Sequence, residues 1–247
     1  MSRYSISADR LTRKFGSFTA VDAISFEVKN GEIFGFLGAN GAGKSTAMRM
    51  LCGLLSPTSG SAEVAGFDVA RQPDRIKQAI GYMSQRFSLY PDLTPRENIR
   101  FYGGIYGLSG REIRARTAQL LDQLMLGEVA DEPVRRLPLG WKQKLAFSVA
   151  LVHRPAIVFL DEPTGGVDPV SRRNFWEMIY AAAREGTTVF VTTHYMDEAE
   201  YCDRISMMVD GRIQAIGSPM QLRLQYTAKS MDEVFVKLAR PQTTDVP

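Results

Sequence analysis

The residues Gly38-Ala39-Asn40-Gly41-Ala42-Gly43-Lys44-Ser45-Thr46 set glycines, a lysine and hydroxyls in the order G-x-x-x-x-G-K-[ST]. This is chemistry for a phosphate chain. Glycines let successive backbone N–H groups turn inward, and a helix starting behind them favours an anion. Lys44 has the reach to meet β- and γ-phosphates as a mobile point charge, and Ser45 offers its hydroxyl to Mg²⁺. Asp161 and Glu162 form a second group, after the apolar run Ala156-Ile157-Val158-Phe159-Leu160. Ligands of open α/β sheets sit at such strand ends. Asp161 suits a Mg²⁺ ligand, direct or through water, and Glu162 suits a group that orients or deprotonates an attacking water. Gln85 follows a short apolar run, where its amide could touch the ion or the water. His194 ends a β-branched run and could hydrogen-bond the γ-phosphate or the water. Phe15, in Arg13-Lys14-Phe15-Gly16, offers a ring to a base from the first connection of the chain.

These groups need elements to hold them. Ile33, Phe34, Phe36 and Leu37 read as a buried strand entering the glycine loop. Ala47, Met48, Met50, Leu51, Leu54 and Leu55 recur beyond it at helical spacing. Residues 4–30 read as two antiparallel strands turned at Gly16-Ser17 and closed by Asn30-Gly31. Ser56-Pro57-Thr58-Ser59-Gly60 stops the loop helix. A strand over 61–64, a turn at Gly66, a short helix over 71–78 and a strand over 80–83 follow. From 86 to 149 the pattern is helical. Thr94-Pro95-Arg96-Glu97 and Ser109-Gly110-Arg111-Glu112 are capping boxes, the first with proline in the first helical position. Ile113, Thr117, Leu120, Leu121 and Leu124 form a core stripe, with Arg111, Arg114 and Arg116 as a solvated face. Alternation of strand and helix then resumes. The apolar run ending in Asp161 suits a strand buried on both faces. Phe175, Trp176, Met178, Ile179, Ala182 and Ala183 make a helix ended by Gly186, and 187–193 is a strand. A hairpin turned at Asp210-Gly211 pairs 205–209 with 212–216. Ser218-Pro219 starts a last helix, and the tail after Arg240 is expected to be mobile.

Composition narrows the classes. The chain of 247 residues is 45% hydrophobic and 23% charged, the balance of a soluble globular protein. Its net charge of +3 does not argue for nucleic acid. No apolar run reaches the length of a membrane span, and no secretory leader is visible. Cys52 and Cys202 read as reduced core residues, and two cysteines with two histidines at these spacings build no metal cluster. His153 reads as a satisfied structural histidine.

In order and spacing, these groups resemble the nucleotide-binding subunit of an ATP-binding cassette (ABC) transporter over residues 6–238. In that likeness Phe15 is the adenine-stacking aromatic, residues 38–46 are Walker A, and Gln85 is the Q-loop glutamine. Residues 157–162 are Walker B, Gly166-Val167-Asp168 is the D-loop, and His194 is the switch histidine. The likeness extends to drug-exporter ATPases of the daunorubicin-resistance type, which often end like Met231-Asp232-Glu233-Val234-Phe235.

The resemblance implies an α/β fold: a P-loop NTPase (RecA-like), mostly parallel sheet with an N-terminal antiparallel β subdomain and an inserted helical subdomain. The expected division is one domain over 1–240. Within it, 1–85 and 150–220 form the nucleotide-binding core, 86–149 the helical lobe, and 221–247 a C-terminal helix and tail. ATP and Mg²⁺ are the implied cofactors, the latter on Ser45, Asp161 and Gln85. The implied partners are a second cassette (identical, different or fused) and transmembrane permease subunits at the cytoplasmic face of the cell membrane. Two ATP molecules would be sandwiched head-to-tail, with no direct nucleic acid partner. A soluble cassette acting on nucleic acid or ribosomes and a weakly hydrolysing regulatory subunit are the alternatives.

One stretch departs from the family. The signature Leu-Ser-Gly-Gly-Gln is replaced by Leu137-Pro138-Leu139-Gly140-Trp141. In the family the serine hydroxyl and glycine amides grip the γ-phosphate held by the opposite subunit. Pro138 has neither N–H nor O–H. Gly140 is kept, and a proline in the first helical position leaves the helix start free to face an anion. This predicts a working but asymmetric ATPase. Phe87, Leu89 and Tyr90, just after Gln85, are expected to line a groove for the membrane subunit.

Overall fold

The computed structural model describes residues 3–85 and 88–239. Phe87 and the tail after Arg240, both named above, lie outside them. Strands β1 (Tyr4–Phe15) and β2 (Phe18–Lys29) form a long antiparallel hairpin across Gly16-Ser17. Phe15 is therefore the last residue of a strand, opposite Phe18, and not part of a loop. Strand β3 (Ile33–Leu37) leads into the glycine loop, and α1 (Lys44–Leu51) leaves it. β4 (Ser59–Val64) and β5 (Phe67–Asp68) then join the hairpin in a sheet ordered β2-β1-β4-β5. The antiparallel sheet is thus not purely N-terminal, and Gly60 belongs to a strand as well as to the break before it.

The central sheet holds six strands. After α2 (Pro73–Ala79) come β6 (Ile80–Met83) and, beyond the helical segment, β7 (Ile157–Asp161), β8 (Thr188–Thr193), β9 (Arg204–Val209) and β10 (Arg212–Gly217). Their order is β10-β9-β3-β8-β7-β6. Only β10 is antiparallel to its neighbour. Side chains alternate across the sheet, as strand geometry requires. Phe34, Phe36, Phe159 and Phe190 face the antiparallel sheet, where Phe36 and Phe190 lie 5.3 Å apart and Phe26 stacks on Phe34 at 5.7 Å. Leu37, Val158, Leu160, Val189 and Val191 face the other core, under the helices. Both faces are covered, so these strands read as unbroken apolar runs. The carboxyl ends of β3, β7 and β8 consequently deliver the glycine loop, Asp161 and His194 to one rim.

Helices α3 (Pro95–Ile105) and α4 (Gly110–Gln123) both start in complete capping boxes, each worth about 1 kcal/mol. Asn98, fully buried, donates to the carbonyls of Tyr90 and Thr94 and accepts from the Tyr90 N–H, which pins the loop before α3. Thr117, Leu120, Leu121 and Leu124 are buried as expected. Arg116 is not on a solvated face: its guanidinium donates to the Val152 and Leu151 carbonyls. Those carbonyls lie just past the end of α5 (Leu139–Ala150), where a cation complements the helix dipole. Leu89 is also internal, at 4% exposure, so of the two expected groove residues that are described, Tyr90 is the one that faces out.

After α6 (Pro169–Arg184), the expected single last helix is two. α7 (Pro219–Gln225) starts in a third capping box, and α8 (Met231–Ala239) packs Met231 and Val234 into the core. Among the described residues no helix is long and apolar enough to cross a membrane. Cys52 and Cys202 are free and buried.

Candidate functional site

The phosphate loop has the backbone its glycines were expected to supply. Gly41 and Gly43 take φ of 84° and 103°, and a Cβ on Gly43 would stand 2.3 Å from the Ala20 carbonyl oxygen. Only glycine meets both demands there. Lys44, the first residue of α1, is buried, and its ammonium donates to the Gly38 and Ala39 carbonyls at 2.8 and 3.1 Å. The same ammonium is 3.6 Å from Glu162 Oε1. Burial pulls the Lys44 pKa below its ordinary value, while the Glu162 and Asp161 carboxylates oppose that shift.

Asp161 ends β7 with 6% of its surface exposed. Its Oδ1 accepts the Ser45 hydroxyl at 3.2 Å and the Thr192 hydroxyl at 2.6 Å. Two of the three expected Mg²⁺ ligands, Ser45 and Asp161, are therefore in contact. Thr192 was invisible in the sequence, because in a β-branched strand it reads as strand propensity alone. Its place in the register, one strand over and opposite Asp161, is what puts its hydroxyl on the carboxylate.

Glu162 lies one step beyond the strand with φ of 48°, the left-handed region that a non-glycine residue occupies at a cost of order 1–3 kcal/mol. Two contacts hold it there: its N–H reaches both the carbonyl and the hydroxyl oxygen of Thr192 at 3.1 Å. The turn aims the carboxylate back over the loop. Gln85 Nε2 donates to Glu162 Oε2 at 2.9 Å, and His194 Nδ1 stands 3.1 Å from the same oxygen, outside hydrogen-bond geometry. Gln85, Lys44, Glu162 and His194 thus converge, as expected from the sequence.

A concavity of ≈ 360 Å³ opens beside them, lined by Phe18, Ala20, Asn40, Gly41, Gly43, Lys44, Ser45, Thr46, Gln85 and Glu162. Phe18, 64% exposed, is the aromatic on this wall. Phe15, 47% exposed, is not among the lining residues and carries the Arg13 guanidinium 4.6 Å from its ring centre. The hairpin register brings Phe18 to the pocket, whereas the first connection of the chain and the family resemblance pointed to Phe15.

The altered signature is placed elsewhere. Pro138 precedes α5 with φ −57° and ψ 153°, so it is the capping residue and not the first helical one. Leu139 opens the helix. Trp141 and Lys142 N–H groups return to the Pro138 carbonyl, so the N–H groups of Leu139 and Gly140 are the ones the helix itself leaves open. They border a separate cleft with Trp141, Lys144, Val167, Asp168 and Ser171. Asp168 caps α6, accepting from the Val170 and Ser171 N–H groups, and the Ser171 hydrogen bonds lower its pKa. Gly140 is therefore not brought to the Lys44 pocket of its own chain.

His153 stacks flat on Tyr106, 3.6 Å between ring centres at 9°, and burial pushes its pKa down to about 4. Packing places it as the structural histidine expected from the sequence, and a polar contact with the Ile80 backbone, short of full hydrogen-bond geometry, opposes the downward shift.

The ABC transporter family model matches residues 21–165 of the chain. The chain is 48% identical over 238 residues to the probable multidrug ABC transporter ATP-binding protein YbhF of Escherichia coli K12, covering 94% of this chain and 41% of that protein. It is 37% identical over 244 residues to the linearmycin resistance ATP-binding protein LnrL of Bacillus subtilis 168, covering 95% and 78%. Among solved structures, an ATP-binding cassette captured as a post-hydrolysis dimer with ADP and Pi superposes with a TM-score of 0.76 at 26% identity, over 86% of this chain and 98% of that one. The site and these likenesses define a P-loop ATPase. The chain belongs to the ABC transporter family, as one of its ATP-binding cassettes. It spans 41% of the length of YbhF, so what the larger protein does is a separate matter.

Proposed function

We propose that the chain is the motor of an exporter for small amphipathic compounds, using Mg-ATP to drive association with a second cassette and so to move a membrane permease. The convergence of Lys44, Gln85 and His194 on the single carboxylate of Glu162, beside the Ser45–Asp161 pair, carries this reading. The triphosphate lies along the loop amides. Lys44 leaves the Gly38 and Ala39 carbonyls for β- and γ-phosphate oxygens, and His194 turns to the γ-phosphate. Glu162, released from both, orients the attacking water and accepts its proton. Phe18, with Phe15 behind it on the hairpin, stacks on the base.

The oxygen set of Ser45 Oγ and Asp161 Oδ1 fits Mg²⁺, which takes one or two protein ligands and leaves the rest of its shell to phosphates and water. Gln85 stands ready as a further ligand. When bound there, Mg²⁺ neutralises charge developing between the β- and γ-phosphates.

The second cassette is a copy, a homologue or a fused repeat, and offers its own α5 start, with the open Leu139 and Gly140 N–H groups, to the triphosphate held here. The outward Tyr90, with Phe101 at 4.8 Å and Ile105 further along α3, forms the apolar face that meets the permease at the cytoplasmic side of the membrane. Charged replacements at Tyr90, Phe101 and Ile105 should abolish co-purification with the permease; intact assembly would rule this face out. The names of the relatives speak for transport of drug-like compounds, and a net charge of +3 gives no reason to add nucleic acid.

The decisive experiment is steady-state ATP hydrolysis by the purified chain. Lys44→Ala should lower turnover at least a hundredfold, and Glu162→Gln should accumulate an ATP-dependent dimer visible by light scattering. Full activity in the Lys44 variant would refute the assignment. Pro138 supports a second reading, a regulatory cassette that binds ATP and hydrolyses it slowly; turnover of the pure chain near background with intact ATP binding would select it.

A further inference from the structure

Glu198 is buried with no exposure at all, yet the catalytic reading gives it no task. It sits in the 3-10 turn Met196–Tyr201, four residues past His194. Its Oε1 accepts the hydroxyl of Thr164 in a short hydrogen bond. Thr164, at 1% exposure, lies in the loop that runs from Glu162 to Asp168. Arg172, on α6, places its Nε 3.7 Å from the same Oε1. That is too far for a hydrogen bond, and neither Arg172 Nε nor Glu198 Oε2 has another hydrogen-bond partner among the described residues. The Arg172 guanidinium also lies over the ring of Tyr195 at 4.6 Å, and Tyr195 packs against His194 at 4.2 Å between ring centres. A continuous path of side chains therefore runs from Thr164 through Glu198, Arg172 and Tyr195 to His194.

A buried carboxylate with one oxygen unsatisfied is expensive, and it persists where the surroundings fix it. Here what it fixes is the distance between the two segments that must act together. One segment carries Glu162 and Asp168; the other carries His194.

We propose that Thr164, Glu198 and Arg172 form a buried clasp that locks the Glu162–Asp168 loop to the His194 segment, so that Glu162 and His194 take up their working positions together. This rests on the motor reading above. The three are positioning residues: none touches the nucleotide. The half-made Arg172–Glu198 contact is the adjustable part. Completing it requires Arg172 to move by under an ångström, and that movement is transmitted to Tyr195 and His194.

The test is Thr164→Val, which removes the hydroxyl and keeps the volume. Turnover should fall about tenfold, while KM for ATP and the affinity for a fluorescent ATP analogue stay within twofold. Thr164→Ser, which restores the hydroxyl, should recover activity. Glu198→Gln, which keeps the shape and loses the charge facing Arg172, should show the same split, and it decides the matter if Thr164→Val melts early. Wild-type turnover in both variants would overturn the clasp, as would a loss of affinity equal to the loss of turnover, or failure of serine to rescue.

The chain has only two histidines, so His194 can be followed directly by its imidazole NMR signal, with His153→Phe as the assignment control. Thr164→Val should shift the His194 resonance, and an unmoved resonance overturns the path whether or not the chain hydrolyses ATP. Absence of hydrolysis in the unsubstituted chain would instead count against the motor reading.

Discussion

Thr192→Val removes one oxygen from the middle of the site and leaves the fold otherwise intact. Val and Thr have nearly the same shape, Thr192 is fully buried, and its backbone pairing in β8 is unaffected. What is lost is specific. The hydroxyl donates to Asp161 Oδ1 at 2.6 Å and accepts the Glu162 N–H at 3.1 Å, although that N–H keeps the Thr192 carbonyl. A hydrogen bond to a charged group contributes about 1.5–3 kcal/mol. Burying a carboxylate with one fewer donor adds a desolvation cost in the same direction. A loss of about 2 kcal/mol in this size class lowers Tm by about 4–8 °C. The functional effect is separate. Asp161 without its Thr192 partner keeps the hydroxyl of Ser45, itself an expected Mg²⁺ ligand. The Mg²⁺ concentration for half-maximal hydrolysis should therefore rise about tenfold, equivalent to about 1.4 kcal/mol. Calorimetry and a Mg²⁺ titration of ATPase rate measure both. Unchanged melting together with an unchanged Mg²⁺ profile would show that Thr192 does not orient Asp161, and the two-donor account of that carboxylate would have to go.

Phe18→Ala should raise KM for ATP several-fold more than Phe15→Ala, because Phe18 is on the pocket wall; the reverse order in an ATP titration would restore Phe15 as the stacking ring. His153 is neutral in the folded protein down to about pH 4, whereas the unfolded chain protonates it near 6.5. Between those values the unfolded chain binds more protons, so stability falls as the pH falls through that window. The loss reaches about 3 kcal/mol at its foot. His153→Phe keeps the stack on Tyr106 and should flatten that slope in urea melts at pH 7, 5.5 and 4; an unaltered slope would place the acid lability elsewhere. Pro138→Ser restores a hydroxyl at the cap of α5 and should raise turnover severalfold with little change in monomer ATP affinity. No gain in turnover would mean that the altered signature does not limit the rate.

Local rules made much of this site legible. The glycine spacing required a strand before it and a helix after it, and β3 and α1 supply them. The apolar run before Asp161 required burial on both faces, and β7 has it. Two capping boxes and the Ser218-Pro219 pair fixed three helix starts within a residue. The misreadings share one cause, which is that a tertiary partner decided the outcome. Phe18 reaches the pocket because of hairpin register. Arg116 is diverted from solvent by carbonyls some 35 residues away in the chain. Leu89 is drawn inward by the lobe core, and Thr192 matters only because β7 and β8 are neighbours in the sheet. None of these partners is visible in a window of sequence.

The resting geometry also indicates where ATP binding energy is used. Glu162 is held by Lys44 on one oxygen and by Gln85 on the other, with His194 Nδ1 beside that second oxygen but outside hydrogen-bond geometry, so the carboxylate proposed to handle water is engaged by groups proposed to handle phosphate. The Lys44–Glu162 pair is buried on both sides, and separating such a pair without compensation costs about 3–5 kcal/mol. A γ-phosphate compensates Lys44 at once, since it supplies several anionic oxygens where a single carboxylate stood. It offers Glu162 nothing but repulsion. On the catalytic role proposed above, the carboxylate becomes free to act when triphosphate is present, since a diphosphate keeps only its β-phosphate oxygens for Lys44 and has no γ-phosphate to draw His194 away. Dependence on a nucleoside triphosphate, as the proposed motor role needs, follows from that exchange of partners. Glu162→Gln should reveal it: with the repulsion gone, ATP affinity rises more than ADP affinity, and equal gains for the two nucleotides would contradict the exchange.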